Sequence, residues 1–203
     1  LKAVELGEGE NADLLAEIQS QGHEYASEGY AHEYSYMYTR EQEGESMRKT
    51  IKAFEDNLGE RPLGYLSPGH CHTDNTLDLV AENGYLWWAD PLNDDIPYTL
   101  SGGGRDIVVI PYNIQGCHDY STYKGDRTPR DLLQIWKDQF DYLYAEGERG
   151  YPKFFSINLH PFVSGAPFRA QIISEFVDYV KSKPRVWLAR RIEMANWWIE
   201  KGY

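Results

Sequence analysis

Short apolar runs alternate with amphipathic stretches along most of this chain, and this alternation is the feature that most constrains its fold. Four runs have the composition of buried strands: YLWWAD, DIVVIPY, KFFSINLH and RVWLA. None of them alternates cleanly between apolar and polar residues, which is typical of strands that are covered on both faces. The pattern predicts an α/β protein with a mostly parallel sheet.

The stretches between these runs carry helix signals at their ends. One helix is expected to begin at Thr39 and to end at Gly59, with apolar residues every three or four positions between them. In TPRDLLQIWKDQFDYLYAEG, Thr128 is a predicted cap, Pro129 suits the first helical position and Asp131 completes a capping box. Further helices are predicted at about 11–22, 76–84 and 172–183, and one that ends in MANWWIEKGY.

Composition limits the classes of partner. A formal net charge of -12 argues against nucleic acid and anionic membranes, because binding phosphates requires basic clusters. The chain has no apolar run long enough for a membrane span of about 18 residues. Its two cysteines, Cys71 and Cys117, are expected to be free thiols.

At 203 residues, the chain is expected to form one domain over residues 1–203. It begins without Met and without the charged-then-apolar pattern of a signal segment. We therefore expect a cytoplasmic protein whose N-terminal part lies partly upstream of Leu1. The sequence leaves open whether the protein forms a homo-oligomer.

Polar clusters follow several of the strand signals. Five of the six histidines lie in these turns, which are SEGYAHE, SPGHCHTDN, NIQGCHDY and the end of INLHP. Rigid strands can direct side chains from distant segments toward one point, so strand ends are the preferred positions for an active site. This shared placement makes Glu28, His32, His70 and His160 candidate site residues.

Each cluster also has a purely structural explanation. Glu28 and His32 have the spacing of an interacting pair on a helix surface. His160 follows an apolar strand and would fit a buried core histidine. Alternate residues of an extended chain face opposite ways, so His70 and Cys71 are not both expected to face one site. The common placement, rather than any single cluster, favours function.

Longer motifs resemble a known family. GHEYASEGYAHE, RPLGYLSPG, NTLDLVAENGYLWWAD, NDDIPY, IVVIPYN and INLHPFVSGAPFRAQIISEFVDYVKSKPRVWLARRIEMANWW are similar to segments of the polysaccharide deacetylase family, also called the NodB-homology or carbohydrate esterase family four group. The branch includes allantoinase-type, cyclic-imide-hydrolase-type and peptidoglycan-deacetylase-type members. The resemblance runs from about residue 12 to about residue 200. It implies a deformed (β/α) barrel of about seven strands and hydrolysis of a non-peptide C–N bond.

The resemblance also implies site residues and a cofactor. Many members hold a divalent metal ion, such as zinc, manganese or nickel, through an aspartate near the N-terminus and an H-x-x-x-H motif. His32 matches the second histidine of that motif, and Glu28 stands at the first position, where a carboxylate can also bind such a metal. His160 lies in an L-H-P motif and matches the general acid that protonates the leaving nitrogen.

The expected substrate is a small amide, an imide or an N-acetylated saccharide. The matching motifs place its binding residues at Ser67, Gly69, His70, Asp95 and Tyr112. Tyr34, Tyr36 and Tyr38, which follow His32, fit either a pocket wall or ordinary packing.

Three departures from the family pattern keep alternatives open. Glu28 replaces a metal histidine, and Leu66 stands where an arginine often precedes S-P-G. No segment before residue 11 resembles the strand that carries the catalytic aspartate, so that strand lies upstream of Leu1 or is lacking. One alternative is a metal-independent, allantoinase-like or cyclic-imide-hydrolase-like enzyme with Glu28 as the general base. Others are a binding protein without activity on the same fold, or a structural metal protein that uses Cys71, His72, Cys117 and His118.

Overall fold

The computed structural model describes residues 12–112 and 117–203. These residues fall into two compact units. The first unit comprises the described residues within Leu1–Pro91, Pro97–Pro111 and Ala189–Tyr203, and the second comprises those within Leu92–Ile96 and Tyr112–Leu188. Each unit is described by itself.

The described residues form eight α-helices and four strands. In chain order they are α1 (Ala12–Ser20), α2 (Arg40–Leu58), β1 (Gly64–Tyr65), α3 (Thr76–Glu82), β2 (Trp87–Trp88), β3 (Tyr98–Gly102), β4 (Arg105–Val109), α4 (Tyr120–Tyr123), α5 (Pro129–Glu148), α6 (Pro161–Ser164), α7 (Pro167–Lys181) and α8 (Arg191–Lys201). Within these ranges no helix is long and apolar enough to cross a bilayer.

The sheet lies in the first unit, with the strand order β1-β2-β4-β3. Strands β1, β2 and β4 are parallel to one another, and Ser27 adds a parallel bridge to Tyr65 at the outer edge of β1. The core beneath this sheet consists of Met47, Tyr65, Leu79, Val80, Ala81, Tyr85, Trp88, Ile107 and Val109. The prediction of an α/β protein with a mostly parallel sheet is confirmed.

Strand β3 is the exception, because it pairs with β4 in an antiparallel hairpin. The hairpin turn is Gly103–Gly104, and both glycines have a positive φ, of 54° and 83°. Two-residue hairpin turns favour glycine at such positions. We did not predict this hairpin, although a glycine pair between two strand-like runs is its usual signal.

The helix ends follow the signals in the sequence. Thr39 caps α2 through a capping box, and Gly59 ends it in a left-handed conformation. Thr128 and Asp131 form a reciprocal capping box at the start of α5, with Pro129 at its first position. These predictions are confirmed because caps depend on local hydrogen bonds, which the sequence alone specifies.

The second unit packs α5 against α7. Its core consists of Cys117, Leu132, Leu133, Trp136, Phe140, Ile172, Phe176 and Val180. Four of these residues lie on α5 and three lie on α7.

Two predicted strands are largely absent from the described residues. The run KFFSINLH makes a single parallel bridge, from Asn158 to His118. The run RVWLA forms no strand, and Trp187 and Leu188 are 55% and 59% exposed. The prediction of a buried strand at 185–189 is therefore wrong. An apolar composition forms a buried strand only where a neighbour satisfies its backbone and covers its side chains.

Gly64 offers a direct test of the packing between β1 and β2. A Cβ atom at this position would lie 1.9 Å from Cζ2 of Trp87, and the indole N–H of Trp87 is held by the Glu24 carboxylate at 2.8 Å. We expect Gly64→Ala to lower the free energy of unfolding by about 2–3 kcal/mol, as overpacking does. The matched control is Gly147→Ala in α5, where the nearest atom lies at 3.8 Å. Chemical denaturation of both variants gives the comparison, and equal stability would contradict the packing described here.

Candidate active site

The parallel strands of the first unit bring several loops to one edge of the sheet. Ser27, β1 and β2 run in the same direction, so the segments that follow them emerge at the same edge. Glu28 follows Ser27 directly, Ser67 follows β1, and Asp90 follows β2. The placement of polar residues at strand ends that the sequence indicated is therefore found in this unit.

Glu28 and His32 face each other in a loop. Their Oε1 and Nε2 atoms lie 3.4 Å apart, and both side chains are partly exposed. Residues 28–34 are not helical, so a pair on a helix surface does not explain this approach. Two ligands bound about 2.1 Å from one tetrahedral ion are about 3.4 Å apart. The pair therefore fits two adjacent positions around a divalent metal ion.

The loops that carry His32 and His70 have unusual backbone conformations. Both histidines have a positive φ, 59° for His32 and 56° for His70, a region that costs free energy for residues other than glycine. A Cβ on Gly69 would lie 2.8 Å from the ring of Tyr34, and one on Gly29 would lie 3.1 Å from Pro68. The two loops are therefore packed closely against each other.

Asp90 is the buried anchor of this edge. It is 1% exposed and accepts hydrogen bonds from the backbone N–H of Ser67 at 2.7 Å, from the Ser67 hydroxyl, and from the indole of Trp88 at 2.5 Å. Burial raises the pKa of Asp90, although these hydrogen bonds act in the opposite direction. We did not predict this residue, although an aspartate directly after an apolar strand run was a usable signal.

A second buried carboxylate, that of Glu43, holds the segment that follows His70. Glu43 of α2 is 2% exposed and accepts hydrogen bonds from the hydroxyls of Thr73 at 2.8 Å and Thr76 at 2.5 Å. The segment after His70 is thereby tied to α2. This contact was not predictable from local sequence patterns, because 30 residues or more separate Glu43 from the two threonines.

The other catalytic candidate, His160, lies in the second unit beside a buried aspartate. The parallel bridge between His118 and Asn158 places Asp119 next to His160. Asp119 is 1% exposed and accepts three hydrogen bonds, from the His160 backbone N–H at 2.7 Å, the His160 ring Nδ1 at 2.8 Å and the Ser164 hydroxyl at 2.6 Å. Our sequence analysis noted His118 in this turn and missed Asp119.

This arrangement defines the chemistry open to His160. A carboxylate bound to Nδ1 fixes the tautomer and the orientation of an imidazole, and it stabilises the protonated ring. This leaves Nε2 as the ring atom available for proton exchange. His160 is 29% exposed at its side chain, so that exchange is accessible.

His118, Asp119 and His160 also form the only group of three metal-ligand side chains found among the described residues, with ligand atoms within 4.8 Å of one another. Several ligand atoms of this group already take part in hydrogen bonds. Both Asp119 oxygens accept hydrogen bonds, and Nδ1 of His118 accepts the Tyr120 N–H at 3.2 Å. A buried carboxylate between two imidazoles can orient a ring for proton transfer or take part in binding a metal ion.

The remaining candidate residues have identified surroundings. The Asp95 carboxylate pairs with Lys153 at 2.8 Å, and its backbone oxygen accepts the Phe154 N–H. Tyr112 is half-buried three residues after β4. Cys71 and Cys117 are free thiols, as predicted, and burial raises the pKa of Cys117 to about 11. Substrate binding by Ser67, Gly69, His70, Asp95 and Tyr112 stays a prediction.

The chain is similar to known deacetylases in sequence. Residues 6–88 match the family model described as polysaccharide deacetylase. A peptidoglycan deacetylase of Helicobacter pylori is 24% identical over 201 residues, an alignment that covers 83% of this chain and 68% of that protein.

Two solved structures superimpose well on this chain. Puue allantoinase superimposes with a TM-score of 0.83 at 34% identity, over 94% of this chain and 64% of the other. A "probable polysaccharide deacetylase" of Pseudomonas aeruginosa gives 0.84 at 33% identity, over 95% and 64%. The chain thus spans about two thirds of the length of these relatives. The predicted fold class, an α/β fold of the NodB-homology type, is confirmed, and the count of about seven barrel strands stays a prediction.

His70 provides a pH-dependent test of the loop geometry. Burial lowers the pKa of His70, although the nearby charges of Asp90 and Glu28 oppose this effect. The unfolded chain therefore takes up a proton at a higher pH than the folded one, and the stability due to neutral His70 is lost as the pH falls. We expect wild type to lose more free energy of unfolding between about pH 7.5 and about pH 5 than His70→Asn, since asparagine does not titrate and tolerates a positive φ. Denaturation at both pH values measures this difference.

His23→Asn is the matched control for this experiment, because His23 is exposed in the turn after α1. If His70→Asn and wild type lost equal free energy of unfolding over the same pH interval, the result would contradict the lowering of the His70 pKa by burial.

Proposed function

We propose that this chain, which is similar to the polysaccharide deacetylase family over residues 6–88 and to a probable polysaccharide deacetylase at 33% identity, hydrolyses a non-peptide C–N amide bond in a deacetylase-type reaction. The observation that carries this proposal is the hydrogen bond between Asp119 and Nδ1 of His160. It gives His160 the orientation that a general acid requires. The names of the relatives suggest two kinds of substrate, an N-acetylated glycan and a small ureide.

His160 acts in the second half of the proposed reaction. Water adds to the amide carbonyl carbon and gives one proton to a base, which is Glu28 in the metal-free version and solvent water in the other, and this leaves an anionic tetrahedral intermediate. When the C–N bond breaks, the bonding electrons go to nitrogen, and the proton on Nε2 of His160 is transferred to that nitrogen. Asp119 stabilises the protonated imidazole until this transfer, so the products are a carboxylic acid and an amine.

Glu28 and His32 are the residues that would hold a divalent ion such as zinc, manganese or nickel. Their 3.4 Å separation fits two ligands of one ion, and carboxylate and imidazole are both suitable donors. When bound, such an ion polarises the carbonyl and lowers the pKa of a coordinated water from about 16 toward about 7. Partial exposure of both side chains leaves further coordination positions accessible to water.

A second candidate is hydrolysis without a metal, which the resemblance to the allantoinase-type branch implies. Glu28 would then take the proton from the attacking water as a general base. Its carboxylate lies in a partly exposed loop at the strand edge, where water can reach it. Both versions use His160 in the same way, so they differ only in how water is activated.

Turnover tests the assignment of the acid. We expect His160→Ala to lower kcat by about 10²–10⁴ on whichever substrate the wild type cleaves, which is the usual contribution of a general acid. Asp119→Asn should also lower kcat strongly, because it removes the charge that orients the ring. Amine release from acetylated chitooligosaccharides, or ring opening of allantoin, provides the assay. His23→Ala is the control, and full activity of His160→Ala would show that another residue is the acid.

Metal content separates the two versions. We expect about one equivalent of zinc, manganese or nickel in the purified protein by elemental mass spectrometry, as a single bound ion would give. The metal should be lost in His32→Ala and retained in His23→Ala. Activity that survives chelation in a metal-free protein would instead assign water activation to Glu28.

A further inference from the structure

The carboxylate of Glu33 reaches back across His32, one of the two residues that would hold a metal ion. Its Oε2 atom accepts a hydrogen bond from the backbone N–H of Ala31 at 2.8 Å. This contact closes a ring of atoms that contains the backbone of His32, whose φ is 59°. A left-handed conformation costs free energy for a residue other than glycine. The hydrogen bond therefore stabilises a conformation that is unfavourable for histidine by itself.

The residues on both sides of His32 are held by other contacts. Further along the chain, the side chain of Tyr38 hydrogen-bonds the Glu33 carboxylate. Before His32, the backbone N–H of Tyr30 donates to Oγ of Ser46 in α2 at 3.3 Å. The Glu33 carboxylate therefore has a second partner that keeps it in place, and the segment that precedes His32 is attached to a long helix.

The backbone conformation of His32 decides where its imidazole lies. Its Nε2 atom is 3.4 Å from Oε1 of Glu28 in the present conformation. A change of φ to the right-handed region is a rotation of about 120° about the N–Cα bond, and it would carry the ring away from Glu28. The hydrogen bond made by Glu33 therefore maintains the separation of the two proposed ligands. Groups that orient a metal ligand without contacting the ion commonly contribute to metal affinity.

We infer that Glu33 is a positioning residue, which raises the affinity of Glu28 and His32 for a divalent cation by fixing the backbone of His32. This inference rests on the proposed function, in which these two residues hold the ion. Glu33 acts as a hydrogen-bond acceptor, because its partner at 2.8 Å is a backbone N–H. Glutamine keeps a side-chain oxygen at the same position, whereas alanine has none. The two substitutions therefore separate positioning by a hydrogen bond from attraction of the cation by a negative charge.

Zinc binding by the full chain tests this role without any turnover. The protein is treated with a chelator, dialysed and titrated with zinc chloride in a calorimeter. We expect Glu33→Ala to bind zinc about ten- to hundredfold more weakly than the wild type, which is the usual effect of losing a group that orients a metal ligand. Glu33→Gln should stay within about threefold of the wild type, because it restores the acceptor for the Ala31 N–H. Melting temperatures of the metal-free variants check that each one is folded.

Glu55→Ala is the matched control, since Glu55 is an exposed glutamate of α2, and it should leave the zinc affinity unchanged. Equal zinc affinity of Glu33→Ala and the wild type would overturn the inference, and so would an equal loss in Glu33→Ala and Glu33→Gln. A wild type that binds no zinc would also overturn it.

Amide hydrolysis by the wild type is measured separately, so that the inference and the proposed reaction can fail independently. Zinc binding that depends on the Glu33 acceptor, without hydrolysis, would support the inference and overturn the proposed reaction. Hydrolysis together with a zinc affinity that Glu33→Ala does not change would do the reverse.

Discussion

The hydrogen bonds of one buried carboxylate, Asp119, organise the chemistry of the second unit. This group accepts three donors from the segment that starts at His160, and it is almost completely removed from water. A buried charge is tolerated only when such partners satisfy it, and removal of one partner typically costs several kcal/mol. The hydrogen bonds that hold the start of α6 on the turn at 117–119 therefore also orient the imidazole of His160.

The first unit uses the same device at the edge of its sheet. Asp90 holds the segment after β1 through Ser67, and Glu43 holds the segment after His70 through two threonine hydroxyls. Between these anchors, His70 adopts a positive φ, a conformation that costs free energy for residues other than glycine. Strain of this kind persists only where surrounding contacts over-determine the backbone. The hydrogen bonds of Asp90 and Glu43 to the flanking residues are such contacts.

The large aromatic residues include both buried and exposed members. Trp87 and Trp136 are buried in the two cores or beside them, whereas Tyr123 and Phe162 are exposed. Sequence periodicity does not distinguish these cases, because α4 and α6 have four residues each and show no repeat. Their role depends on which neighbours cover them.

The sequence by itself determined the fold class, the caps of α2 and α5, and the association of histidines with strand ends. These features depend on periodicity, local hydrogen bonds and chain direction, all of which are encoded within a few residues. Only the tertiary structure decided that Asp119 orients His160, that Asp90 and Glu43 anchor the loops, and that RVWLA is not a strand. Each of these depends on partners that are distant along the chain, and burial and pairing across such distances leave no local pattern to read.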